Sequence, residues 1–310
     1  MKLKRRANLR KKIENLNLSE IKKVLESKYE YTPGKPGRPP ISPTGLFLSF
    51  IIMFLRTESY RDYHAFLEKD QFWRWQLEFK NVPDIGSFSN FLKRIGKDTF
   101  EQLFTDIVQQ LLEQGFLNLN TIAIDGSIIP ANPDDPEAGW GWDHIQQKYV
   151  YGYKLHALVD TRSELPVAIT ITKAGNHDST QFKPLYKILK NYNTRFSTRF
   201  FTADKGYDAY YIRKALMKDN IQPVIKADRV PFEPHYPEWF KDKYRERTSV
   251  ERFFSRFKEH LDLRKQRIIG KRNVEIYCNI ICTGMLLIGY FNQQHGFSPR
   301  SVKTFLRKYT

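Results

Sequence analysis

Near residue 120 the spacing of apolar side chains changes, and that change limits the chain to a helical part followed by a sheet-bearing part. From about 43 to 117, apolar residues recur every three or four positions, the period of helices with one buried face. "SPTGLFLSFIIMFLR" opens on Ser42, suited to cap a helix, and on Pro43, whose fixed φ fits a first turn. "YRDYHAFLEKDQFWRWQLEF", "DIGSFSNFLKRIG" and "DTFEQLFTDIVQQLLEQG" extend the pattern to about five helices. "VPDIGSFSNFLKRIG" is the candidate second helix of a helix-turn-helix. Downstream, "TIAIDGS", "YVYGYKLHALVD" and "LPVAITITKAG" read as successive strands of a meander. "QFKPLYKILKNY" and "AYYIRKALMKDN" read as helices, alternating with strands in "TRFFTADKGY" and "IQPVIK". A loop rich in proline and aromatics, "ADRVPFEPHYPEWFKDKY", then leads into the last helices.

The 310 residues suffice for one large domain or two ordinary ones. A hydrophobic content of 41% supports a real core. With 51 Lys and Arg against 34 Asp and Glu, the net charge of +17 favours polyanions, nucleic acid before an anionic membrane. The apolar runs 46–55 and 274–291 read as core helices, the first too short to span a bilayer and the second broken by Asn279, Thr283 and Gly284. The two cysteines, Cys278 and Cys282, sit a helical turn apart in that second run and read as buried small hydrophobes. Together these features point to a cytoplasmic, nucleoid-associated protein.

The stretch "YRERTSVERFFSRFKEHLDL", from Tyr244, is charged yet patterned. Drawn as one helix, Val250, Phe253, Phe254, Phe257 and Leu261 form a buried stripe. Tyr244, Arg247, Glu251 and Lys258 fall on a neighbouring stripe only about 60° wide. Taken alone, this second stripe reads as a solvated face with an Arg247–Glu251 pair at i,i+4. Two other acids change the weighting. Asp125 and Asp204 each close a short strand-like run and are soon followed by glycine. Acids at strand ends are usually turn formers. Reactive groups also gather there, because loops are open and backbones rigid. Three carboxylates on rigid elements can hold divalent cations, which would relieve their mutual repulsion.

On these residues the chain resembles the DDE transposases of prokaryotic insertion sequences. Asp125, Asp204 and Glu251 match the order of the three acids. The signature of one large subgroup, Tyr-(2)-Arg-(3)-Glu-(6)-Lys, is met at every spacing by Tyr244, Arg247, Glu251 and Lys258. "DGS", "YGYKLHALVD", "AGNHDS" and "ADKGYD" are similar to further family patterns, and "GRPPISPTGLF" to the helical region that precedes the core. The resemblance implies an α/β (α+β) fold, a ribonuclease-H-like mixed sheet flanked by helices and preceded by an all-helical domain. It implies a basic arm and linker at 1–40, a helical DNA-binding domain at 41–117, a catalytic domain at 118–291 and a tail at 292–310. Many members carry a long β-rich insert between the second Asp and the Glu; here only a short one fits, around 227–243.

The implied activity is cleavage at transposon ends and strand transfer into target DNA. Water attacks a phosphodiester at the element's end, and the freed 3′ hydroxyl attacks the target. Asp125, Asp204 and Glu251 would be the catalytic metal ligands, for Mg²⁺ or Mn²⁺ and for two ions. The DNA partners are terminal inverted repeats and target, with a homodimer on paired ends. Arg247 and Lys258 would face phosphates, a fork and a point charge respectively, though Arg247 can instead only pair with Glu251. Tyr244 either contacts phosphate or sugar or packs in the core. Asp178 reads as the cap of a helix beginning near Thr180, and His177 as a residue orienting a carboxylate or touching DNA. His156 reads as structural. Trp140 and Trp142, in an apparent Gly-rich loop, either stack on an unpaired base or pin the loop. The alternatives are a ribonuclease-H-fold nuclease that cuts without joining, and a transposase-derived DNA-binding regulator.

Overall fold

The computed structural model describes residues 18–29, 41–192, 198–228, 234–260, 262, 267–302 and 305. Most of the basic arm, most of the "GKPGRPPISP" connector, the middle of the 227–243 segment and Leu261 lie outside these residues. The chain forms two compact units. One draws on Met1–Phe104, His260–Arg267 and Ile276–Thr310, the other on Thr105–Glu259 and Ile268–Glu275. These units cut across the linear segments expected from the sequence, for a side-chain reason. Tyr277 lies 5.8 Å from the Phe50 ring and 5.4 Å from that of Phe54, and its hydroxyl bonds to that of Tyr60. The carboxy-terminal helix therefore shares a core with amino-terminal ones.

The first unit contains α1 (Ser19–Ser27), α2 (Pro43–Arg56), α3 (Tyr60–Lys69), α4 (Gln71–Gln76), α5 (Ile85–Ile95) and the start of α6 (Lys97–Glu113). The Ser42 hydroxyl accepts from the Gly45 amide and Pro43 occupies the first turn of α2, as the sequence predicts. Ser59 and Asp62 form a reciprocal capping box on α3. Asp84 caps α5, the helix-turn-helix candidate, by accepting from the Ser87 amide. Phe50 is the hub of the core, with Phe88 and Phe91 at 5.7 and 5.9 Å.

The second unit is built on a six-stranded mixed sheet. Its strands are β1 (Thr121–Pro130), β2 (Gly139–Asp143), β3 (Lys148–Asp160), β4 (Leu165–Lys173), β5 (Phe200–Ala203) and β6 (Gln222–Ile225). The order is β2-β3-β1-β5-β6, with β4 also paired to β3. β1 runs antiparallel to β3 and parallel to β5, and β5 runs parallel to β6. The central strands carry Ile122, Ile124, Leu155, Leu158 and Phe201, all fully buried. That continuous apolar reading is what strands covered on both faces require. α7 (Phe182–Asn191) lays Phe182 5.6 Å from Phe201, and α8 (Tyr210–Lys218) returns the chain to β6.

Four expectations need correction. "GWGWD" is strand β2, not a loop, because it pairs with Tyr149–Gly152 of β3 and with Lys148. Asp125 is not at the end of β1, which continues to Pro130 along β3. The segment after 227 is not wholly loop: α9 (Glu238–Arg245) occupies its end. The charged stretch is not one helix. Tyr244 ends α9, and α10 (Thr248–His260) begins after a tight turn in which the Arg247 amide bonds the Tyr244 carbonyl.

The last helix, α11 (Lys271–Gln294), is long and apolar enough to cross a membrane, but 89% of its apolar window is buried within the protein. Cys278 and Cys282 are fully buried in it, as expected.

Candidate active site

Sheet register brings the first two acids together. Ile124 of β1 pairs in parallel with Ala203 of β5, so Asp125 and Asp204 each occupy the next position beyond the last parallel pair. Asp125 is still held from the other side, opposite Ala157 of β3. The Asp125 carboxylate accepts from the Gly126 amide at 2.8 Å, and Asp204 accepts from the Gly206 amide at 2.5 Å. Burial pushes the Asp125 pKa up to about 7; the Gly126 amide and Arg247 pull it down, while Asp204 and Asp178 add to the rise. A largely buried carboxylate repelled by a neighbouring one, with oxygen donors throughout, fits a hard divalent cation.

Glu251 projects from the first turn of α10 and is half exposed. Arg247 stands between it and Asp125: one guanidinium nitrogen lies 2.5 Å from Glu251 Oε1 and the other 3.5 Å from Asp125 Oδ2. The i,i+4 pair expected of an ordinary helix face is thus present, and it also ties Glu251 to the sheet acid. Among the described residues no three His, Cys, Asp or Glu side chains are close enough to share a metal ion. Asp125 and Asp204 fit a cation as they stand, whereas Glu251 is engaged by Arg247.

The helix that carries Glu251 is anchored at its far side. Glu164, fully buried after the β3–β4 turn, accepts from Arg252 at 2.7 Å and from Arg256 at 2.8 Å. Val250, Phe253 and Phe257 are fully buried beneath it. Burial lowers the Lys258 pKa, which Asp143 of β2 partly restores. Lys258 therefore lies within electrostatic reach of the β2–β3 hairpin.

With this geometry, the family comparison is decisive. Residues 118–287 match the family model described as "Transposase DDE domain", more than half of the chain. The chain belongs to the DDE transposase family. A second model, "Transposase domain", matches residues 2–94 of the transposase. No curated protein matches it. Among solved structures, the transposase is similar to the piggyBac transposase synaptic complex with hairpin DNA, at 12% identity and a TM-score of 0.51, covering 94% of this chain and 76% of that one. It is also similar to the catalytic core domain of BIV integrase, at 12% identity and TM-score 0.33, covering 62% of this chain and 100% of that one. The Mos1 mariner catalytic domain matches at 13% identity and TM-score 0.25, covering 61% and 94%. The core is ribonuclease-H-like, and the transposase is an enzyme acting on DNA, of a family that uses divalent metal.

Around the acids the transposase carries residues that sequence reading missed or misassigned. Asp178 does not cap a helix. The short 3-10 helix Asp178–Gln181 is preceded by His177, without a side-chain cap, and the Asp178 carboxylate lies 3.0 Å from Lys154 Nζ and 3.5 Å from His156 Nδ1. His177 instead bonds Ser179 at 2.9 Å. Burial drives the His156 pKa down to about 3, so the ring is neutral, and its Nε2 shares a 2.8 Å hydrogen bond with Thr172. Tyr207, fully buried in "ADKGYD", interacts electrostatically with Asp125, Asp178 and Asp204, and its hydroxyl has no hydrogen-bond partner among the described residues. The alternation of β3 and the "AGNHDS" and "ADKGYD" motifs were the signals available for these residues.

Gly126 is what admits this cluster. A Cβ there would sit 2.5 Å from Asp178 Oδ1 and 2.9 Å from His156 Nδ1. Gly126→Ala is expected to cost ~1–3 kcal/mol by overpacking and to slow cleavage, because Asp125 must move with it. Urea denaturation and an end-cleavage assay on one preparation check both effects.

On the other flank, Lys226 occupies the position after Ile225, the register partner of Ala203, and so neighbours Asp204. It lines a cavity of about 540 Å³ with Tyr236, Phe240, Lys241, Tyr244 and Arg245. Tyr236, Phe240 and Tyr244 stack in sequence, at 4.3 and 6.0 Å with nearly parallel planes. Tyr244 is thus partly packed against Phe240 and partly exposed.

Proposed function

We propose that Asp125, Asp204 and Glu251 are the catalytic acids and that the transposase cuts its terminal inverted repeats and joins them to target DNA. The adjacency of Asp125 and Asp204 beyond the β1–β5 pairing, with Arg247 linking Asp125 to Glu251, is the observation that carries this reading. Mg²⁺ or Mn²⁺, as two ions, would be held by the three carboxylates and would supply Lewis acidity for in-line displacement at phosphorus. Asp125 and Asp204 fix where positive charge collects. Arg247 exchanges its carboxylate partners for a DNA phosphate, freeing Glu251 towards the other acids. Tyr244 and Lys258 hold the backbone on either side, and the helical unit reads the repeat. Two copies on paired ends form the working assembly, since both ends must reach the target together. The net charge of +17 supports a protein that works on DNA, in the cytoplasm with the nucleoid.

The test supplies purified protein with uncut and pre-cut repeat ends in Mg²⁺ or Mn²⁺. Cleavage and joining support the proposal; cleavage with no joining of pre-cut ends would make it a nuclease. Lys258→Ala is expected to weaken end binding uniformly across sequences and to reduce the salt slope of log K by about 1, as measured by anisotropy titrations at several salt concentrations.

A further inference from the structure

The β2–β3 hairpin carries an aromatic surface that the cleavage chemistry does not use. Trp140 and Trp142 alternate with Gly139 and Gly141, so both indoles leave one side of β2. Their cross-strand partners are Tyr151 and Tyr149. The ring centroids are 5.3 Å apart for Trp140–Tyr151 and 5.1 Å for Trp142–Tyr149, tilted or edge-on. The tyrosines thus brace the indoles at tilted or edge-on angles, and His144 stands edge-on to Trp142 at 6.5 Å. Trp140 is 64% exposed and Trp142 40%, with Tyr149 at 67%. Rings that pinned the segment would be covered, so this exposure favours the stacking reading.

The opposite side is fixed. A Cβ on Gly141 would lie 2.5 Å from the Ala174 carbonyl, and Ile128, Val150 and Ala174 close a small buried cluster behind the hairpin. The strand is clamped by glycines so that it can present tryptophans. Lys148 stands opposite Asp143 on the hairpin, and Lys258 of the Tyr-Arg-Glu-Lys set is held close enough to Asp143 to interact with it. Along β3, Tyr151 is five residues from His156, about 17 Å from the acid cluster at the rise of a strand.

From these features we propose that the Trp140–Trp142 face is a stacking platform for unpaired bases of the DNA end being processed. It rests on the placement of that end at Asp125 and Asp204. Stacking tolerates any base, because every base has a π-face, and the rigid hairpin loses little freedom when it is occupied. The cations beside it suit a phosphodiester backbone rather than a second apolar surface. At about 17 Å, the platform is within the span of a few unpaired nucleotides.

The experiment compares full-length protein binding to a flush repeat duplex and to the same duplex with a six-nucleotide single-stranded tail. Wild type is expected to favour the tailed duplex about tenfold. The Trp140→Ala/Trp142→Ala double variant should lose that preference yet bind the flush duplex as wild type does. Trp140→Phe/Trp142→Phe should restore most of it, showing that ring faces and not fold are responsible. No tail preference in wild type, or equal losses on both duplexes, would overturn the platform. So would a protein dimer that the alanine variant abolishes, which would assign the face to a second copy. Asp204→Asn, which leaves the hairpin untouched, should keep the preference while failing to cut. If it still cuts, the placement of the end is wrong although the stacking can stand.

Discussion

Asp204→Asn is expected to lower end cleavage by ~10³-fold or more, about 4 kcal/mol of transition-state stabilisation, while DNA affinity stays within about twofold. The substitution retains a carbonyl oxygen that can still accept from the Gly206 amide, so the 3-10 turn that follows should persist. What disappears is the negative charge beside Asp125. Cleavage of labelled repeat ends, run beside a binding titration, separates lost chemistry from lost folding. Cleavage near the wild-type rate would remove Asp204 from the site. Asp125→Asn should share the catalytic defect but has a second signature. The folded-state pKa of Asp125, about 7, lies above its ordinary 3.8. Its contribution to stability is therefore fully present below pH 3.8 and is lost as pH rises through about 7. In cation-free buffer at pH 8, the Asn variant should melt higher than wild type, and below pH 4 the two should converge.

Arg256→Ala is expected to cost ~3 kcal/mol, whereas Arg252→Ala costs ~1 kcal/mol or less. Both cations bond Glu164, but their settings differ. Arg252 is half exposed and water can replace it, while Arg256 is mostly buried and also donates to the Glu164 carbonyl. Removing Arg256 leaves a fully buried carboxylate facing the half-solvated Arg252. The same bond fixes α10 against the β3–β4 turn, so cleavage should fall along with the urea midpoint. Equal midpoints for the two variants would show that Glu164 is solvated in solution and that burial sets neither cost.

Much of the fold was legible because burial follows period. The switch from helical to strand spacing near 120 marks where the sheet begins. The stripe Val250, Phe253, Phe254, Phe257 goes into the core as the spacing requires. β2 was not legible, since two of the five residues of "GWGWD" are glycine and composition pointed to a loop. Its strand character comes from pairing with β3, which no local window contains. The break between α9 and α10 was hidden for the same reason. No proline or glycine marks it, and its residues are held by distant partners, Glu246 by Thr161 and Arg247 by Asp125.

The site divides in the same way. Asp125, Asp204 and Glu251 could be named from the sequence, because an acid after a strand-like run and a fixed Tyr-Arg-Glu-Lys spacing are local features. That Asp125 and Asp204 are neighbours follows from the parallel register Ile124–Ala203, a non-local pairing. The engagement of Glu251 by Arg247 and of Asp178 by Lys154 and His156 likewise depended on distance. A sequence determines which groups a chain owns and the period on which they are displayed. Which charges meet, and which are stripped of water, is decided only when separate segments pack, because Coulomb and desolvation energies depend on position in space and not on position in the chain.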